Sequence, residues 1–273
     1  ERIAWKTARL LGIDHVEYRV GKINGARVSA CDEMLSDTEE LIPAGQIMRI
    51  FRKGGYRERR DIWVEACQRL GIYRDAIMHA TDDFLFLDFL LRNTDRHYNN
   101  FGLIRDVESF AIRPAPIYNS GAGLWNGMDP DAMDNGDYRT KPFWTDQWGE
   151  EDNAYWQLSL IDDWDRYDLG VLDDVPDIVH EQLSTNQRLS PMLIDRITSL
   201  LRGRLPIIRH QRDVAAPHMI GLHPDHGLDD PTPGLQPPYP ADMPDDTRPD
   251  DPGIGLVLPS SQVLTASSMS KQT

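Results

Sequence analysis

The sequence predicts an α+β fold, mostly α-helical, with a small β-hairpin element near the N-terminus and a disordered C-terminal tail. Three observations carry this prediction. Apolar residues recur at helical spacing in several stretches between residues 1 and 210. An Asn-Gly pair separates two short runs of strand character near residue 24. Near Ala216 the composition turns abruptly to proline and aspartate.

Taken in order, ERIAWKTARLLG (residues 1–12) puts Ile3, Ala4, Ala8, Leu10 and Leu11 on roughly one helical face, with Gly12 as a stop. HVEYRV and ARVSA then form two short strands around a turn whose Asn24-Gly25 is a hairpin signal. Residues 32–57, with an acidic cluster at 37–40 and Pro43, carry no clear period and are expected to be irregular. Residues 61–70 and 76–92 are helical in pattern, with Asp82-Asp83 placed where carboxylates suit the first turn of the second helix. Residues 102–104 and 115–118 suggest strands flanking a turn near Asp106.

Residues 126–155, rich in Gly, Asp and Trp, form a long loop, and long loops in compact domains are often functional. Residues 175–183 and 191–210 are expected to be helices. In the second, Leu193, Ile194, Ile197, Leu200, Leu201, Leu205 and Ile208 make a continuous apolar stripe. Ser190-Pro191 provides an N-cap followed by proline at the first helical position.

From Ala216 to Pro259 eight Asp face one Arg, so this segment holds nearly half of the net charge of -15. It cannot bury enough apolar surface to offset its ordering entropy. Two regions are therefore expected, a folded one over 1–215 and a disordered Pro/Asp-rich tail over 216–273.

The overall acidity excludes direct binding of nucleic acid, whose phosphates would be repelled. Cys31 and Cys67 are too few for a zinc cluster or disulfide framework, which fits a reducing cytoplasm. No apolar run approaches the roughly 18 residues a membrane span requires. No signal peptide is visible, although a chain that begins with Glu1 is expected to be a fragment or processed product.

The chemistry concentrates in residues 84–123. An apolar run leads into Asn93-Thr94-Asp95-Arg96-His97-Tyr98-Asn99-Asn100, and the loop Asn119-Ser120-Gly121 follows two short apolar runs later. Asp95 and Asn100 stand five positions apart. That is the catalytic-loop spacing of protein kinases, in which the Asp orients a substrate hydroxyl and the Asn holds magnesium.

NTDRHYNNFG with the following APIYNSG resembles the HipA-like serine/threonine protein kinases. SDTEELIPA (36–44), TKPF (140–143), the first 30 residues and the closing helices extend the resemblance to about His210. It implies the mainly helical C-terminal lobe of a protein-kinase-like fold, with ATP and Mg2+ as cofactors. It also implies a protein substrate and, as in some members, an antitoxin-type regulatory partner. DRHxxN also resembles the loop of phosphoinositide kinases, so a lipid kinase is a third reading.

The resemblance makes Asp95 the residue that accepts the acceptor hydroxyl's proton and Asn100 a magnesium ligand. His97 is a scaffold or phosphate-facing residue, and Asn93 and Arg96 brace the loop. Glu1 matches the helix glutamate that pairs with a nucleotide-binding lysine. No lysine of this sequence has the flanks of that partner, and no Gly-rich phosphate loop is visible, so the nucleotide lobe is expected to be missing or reduced. Asn119 stands where the family has its second metal-binding Asp. An amide oxygen still coordinates but brings no negative charge. An inactivated variant, a natural pseudokinase acting as a scaffold, and a kinase that tolerates Asn all remain open.

Weaker signals carry bland alternatives. Trp125, Trp144, Trp148, Trp156 and Trp164 suit either a partner platform or simple packing. His223 and His226 are incidental histidines in a tail, Pro237, Pro238 and Pro240 a spacer, and Arg57, Arg59 and Arg60 a solvated helix start.

Overall fold

A computed structural model describes residues 1–51, 59–143 and 153–215 and the backbone of a two-residue strand at Leu264–Thr265. The elements run α1 (Arg2–Leu10), β1 (Tyr18–Ile23), β2 (Ala26–Cys31), β3 (Glu39–Pro43), α2 (Ala44–Phe51), α3 (Arg59–Arg69), α4 (Arg74–Leu91), β4 (Gly102–Asp106), β5 (Ile112–Pro114), α5 (Ala154–Ser159), α6 (Val175–Ser184), α7 (Pro191–Ala215) and β6 (Leu264–Thr265). The hairpin pairs Ile23 with Ala26, leaving Asn24-Gly25 as a two-residue turn, as the sequence predicts. β6 lies parallel to β2, and β3, β4 and β5 form a separate antiparallel sheet. The rest of the expected tail, with His223, His226 and the three tail prolines, lies outside the described residues, as do Trp144, Trp148, Lys53 and Arg57.

α4 is the axis of the core. Every residue from Thr81 to Leu91 is buried, and α1, α3, α5 and α7 all pack against it. A helix apolar nearly all round belongs inside. Its polar exceptions therefore need partners, and Asp82 and Asp83 find theirs far along the chain. The expected first-turn role for this pair is incorrect, because α4 begins at Arg74 and Asp75 is the acid of its first turn. Asp82 is fully buried, pairs with Arg60 and accepts the backbone N–H groups of Asp162 and Asp163. Burial pushes its carboxyl up to about 6 despite Arg60. Asp83 accepts the Tyr167 hydroxyl at 2.9 Å and meets Arg166. Arg60 is thus a buried partner rather than a solvated helix start.

Three further expectations change. Residues 39–51 are regular: Leu41 and Ile42 pair with β4, and Ala44, Ile47 and Met48 form the buried face of α2. Each segment is too short for a period to show in sequence. The second strand of the 102–118 region is Ile112–Pro114 rather than 115–118. The turn near Asp106 is present, with that carboxylate accepting from the N–H groups of Glu108 and Ser109. α5 begins at Ala154, so the long loop ends two residues earlier than expected, at the Asn153 side chain that caps the helix on Trp156 N–H. α7 runs past His210 to Ala215, with Ser190 Oγ accepting from Leu193 N–H at its start. Trp125 and Trp164 are buried, which is packing.

Gly102 opens β4 for a steric reason. A Cβ there would stand 2.2 Å from the Ile42 carbonyl oxygen, so only glycine lets β3 approach. That approach places β4 directly after the loop that follows α4. Among the described residues no helix is long and apolar enough to cross a membrane.

Candidate active site

The end of α4 aims the loop. Arg92 is left-handed, with φ 53°, and its N–H bonds to the Phe89 carbonyl while Asn93 N–H bonds to that of Asp88. This is a Schellman close made without glycine. The Arg92 guanidinium lies 4.5 Å from the Tyr138 ring centre and 5.6 Å from that of Trp125, contacts that offset the backbone strain. The chain leaves the helix directly into 93–100.

Arg96 holds this loop from within. Its fully buried guanidinium donates through Nε to Asp88 Oδ2 at 2.7 Å and through Nη2 to Asp88 Oδ1 at 2.9 Å. Nη1 reaches the carbonyls of Asn100 at 2.8 Å and Tyr118 at 2.5 Å, and Nη2 also reaches Ser120 Oγ at 2.9 Å. Burial opposes the charge on Arg96, but Asp88 outweighs it and holds the guanidinium above its ordinary value. Asp88 Oδ1 also accepts from Asn93 Nδ2 at 2.8 Å. One arginine therefore ties the helix, the 95–100 loop and the 118–120 loop together, and Asn93 assists.

The Asp95 side chain stands at the surface, 54% exposed, with Lys141 Nζ and His97 Nε2 each 3.9 Å from one of its oxygens. His97 Nδ1 accepts the Asn99 N–H at 3.2 Å, which puts the imidazole proton on Nε2, the nitrogen facing Asp95. Lys141 was quoted above only as part of TKPF. It is delivered by a braced segment, in which Gln157 Nε2 donates to the Thr140 carbonyl at 2.8 Å and Thr140 Oγ1 reaches the Asn93 carbonyl. Nothing in local sequence marks Lys141 as a neighbour of Asp95.

Asn100 and Asn119 meet. Asn100, 4% exposed, donates from Nδ2 to the Asp95 carbonyl at 2.7 Å, and its Oδ1 accepts from Asn119 Nδ2 at 2.8 Å. Asn119 adopts the left-handed region, with φ 53°, which Asn tolerates better than most residues. Glu1 arrives at the same loop, its Oε2 accepting the Ser120 N–H at 3.1 Å. Asp95, His97, Asn100 and Asn119 thus fall along two adjoining loops, and Glu1, at the start of α1, meets the second of them at Ser120. The donor set does not fit magnesium as it stands. Asn100 and Asn119 offer neutral amide oxygens, one already hydrogen-bonded to the other amide, where Mg2+ is usually bound through one or two carboxylates.

His15 completes the support. Val16 N–H bonds to the Ile117 carbonyl, and Ile117 N–H to that of Asp14, holding the segment before Asn119. His15 Nδ1 donates to its neighbour's carbonyl at 2.7 Å and Nε2 accepts from Ser120 Oγ at 3.1 Å. Burial, aided by nearby Arg96, pushes the imidazole down to about 4. The unfolded chain therefore takes up this proton near pH 6.5, before the folded one. The stability His15 contributes is present above that pH and is lost as pH falls toward about 4. Asp82, raised by burial, works in the opposite sense, so wild type must be compared with a variant. Against His15→Gln, wild type is expected to lose about 2 kcal/mol of relative unfolding free energy between pH 7 and pH 5 in urea titrations. A difference independent of pH sinks this assignment.

No known protein family matches the chain, and no curated protein matches it. Among solved structures, the crystal structure of a Helicobacter pylori proinflammatory kinase, CtkA, is similar to it. The TM-score is 0.57 at 19% identity, over 80% of this chain and 86% of that one. A likeness at that identity carries the fold and not membership of the HipA-like family. This chain has a kinase-like fold.

Proposed function

We propose that this chain is the catalytic-loop lobe of an ATP-dependent protein serine/threonine kinase of the HipA-like type. One observation carries the reading: an exposed carboxylate, Asp95, with two cationic or proton-bearing groups at 3.9 Å, on a loop held rigid by the buried Arg96 network. Asp95 accepts the hydrogen bond, and then the proton, of a serine or threonine hydroxyl. His97 Nε2–H faces the Asp95 carboxylate from 3.9 Å, beyond direct hydrogen-bond distance. Lys141 Nζ offsets the charge of the phosphoryl group as it passes. The rest is positioning, which a braced loop supplies.

A second reading is favoured by the Asn100–Asn119 pair: a pseudokinase that uses the same lobe as a binding scaffold. The two separate in one experiment. The complete gene product and its Asn119→Asp variant are given ATP labelled at the γ-phosphate with a mixed protein acceptor and, separately, with phosphoinositide vesicles, followed by phosphoamino-acid and lipid analysis of the products. Labelled phosphoserine or phosphothreonine supports the kinase. Label in phosphoinositide alone moves the reading to a lipid kinase, and no transfer by either protein leaves the scaffold.

A further inference from the structure

Among the described residues, the interaction that sets this centre apart is the hydrogen bond from the Asn119 side-chain amide to that of Asn100. We infer that the Asn119 amide group fills the place of a bridging cation, so that Asn100 and Asn119 close the centre to divalent metal. The inference deepens the kinase reading of residues 95–100 and 119, but its test does not measure phosphate transfer.

The orientation of both amides follows from the network. Asn100 must present Nδ2 to the Asp95 carbonyl, which is an acceptor only, so its Oδ1 must face residue 119. Asn119 must then answer with Nδ2, because turning its oxygen inward would set two amide oxygens face to face at 2.8 Å. A cation between them, or an N–H from one, are the two ways to relieve that repulsion, and the chain supplies the N–H.

Asn119 is also held on both sides. Ile117 is pinned to residues 14 and 16, and Ser120 is fixed by Glu1 through its N–H and by Arg96 and His15 through its Oγ. These contacts fix the backbone on either side of Asn119, and its side chain is held by the hydrogen bond to Asn100 Oδ1. Two neutral amide groups, with the Asn100 oxygen already taken by the Asn119 N–H, leave a hard cation little to bind.

An aspartate at 119 reverses each term. It removes the N–H, places oxygen against the Asn100 oxygen, and supplies the missing charge. Without divalent ion, Asn119→Asp is expected to melt about 2–4 °C below wild type, the size of one lost hydrogen bond in a chain of this length. Millimolar Mn2+ is expected to restore most of that loss and to leave wild type unmoved. Electron paramagnetic resonance of Mn2+ supplies a second reading on wild type itself, where no bound ion sensitive to residue 119 is expected. A Mn2+ stabilisation of wild type that vanishes in Asn119→Ala overturns the inference. So does an Asn119→Asp protein that is no less stable than wild type, or one that Mn2+ does not shift. These outcomes stand whether or not any phosphate is transferred.

Discussion

Replacing Arg96 by leucine is expected to cost about 3–5 kcal/mol of unfolding free energy, the largest single loss of stability predicted for this chain. Leucine fills part of the volume but leaves Asp88 as a buried charge without its bidentate partner. It also strips donors from the Asn100 and Tyr118 carbonyls and from Ser120 Oγ. Arg96→Lys keeps the charge but not the fork, and one ammonium cannot serve groups arranged around a planar guanidinium. It is expected to fall between wild type and leucine. Adding Asp88→Asn to Arg96→Leu should recover part of the loss, because the stranded charge is gone; equilibrium urea unfolding of wild type, Arg96→Leu, Asp88→Asn and the double variant gives the coupling directly. A loss below about 1 kcal/mol for Arg96→Leu would mean that the loop is held by something else.

How much of this was legible in sequence depends on the reach of each interaction. Asp95 and Asn100 are set by local spacing, and the hairpin at Asn24-Gly25 by turn chemistry, so both were readable. The continuous apolar run of α4 was readable as a helix, but its start was not, and so Asp82 was assigned to a first turn. What decides Asp82 is the pair of N–H groups some 80 residues downstream, together with Arg60. The contact of His15 with Ser120, beside Asn119, spans 105 residues and that of Glu1 with Ser120 spans 119. Lys141 likewise reaches Asp95 only through the path of an irregular segment. β3 and α2 were missed because five and eight residues are too few to display a period beside Pro43 and Gly45. The amide pair was legible only as a puzzle, an Asn at a position where the resemblance asks for Asp.

Asp95→Asn is expected to lower the rate of phosphate transfer by about 10²–10⁴-fold while leaving the fold intact. The two consequences separate because the loop's hydrogen bonds run through its backbone, Asn93, Arg96 and Asn100 rather than through the Asp95 carboxylate. The side chain is half exposed, so its ion pair with Lys141 and its contact with His97 contribute little to stability, and the variant should unfold within about 0.5 kcal/mol of wild type. Asparagine keeps the shape and can still accept a hydrogen bond from a hydroxyl, but it cannot take the proton. The loss should therefore fall on kcat, with the KM for the protein acceptor nearly unchanged. Lys141→Ala is expected to show a smaller loss in kcat, since it removes charge compensation and leaves the base. Both are measured in whichever background, wild type or Asn119→Asp, transfers phosphate faster. Transfer that survives Asp95→Asn within tenfold would assign the label to another centre and remove Asp95 from the reaction. A variant that loses both activity and stability would instead make Asp95 a structural residue, which its exposure argues against.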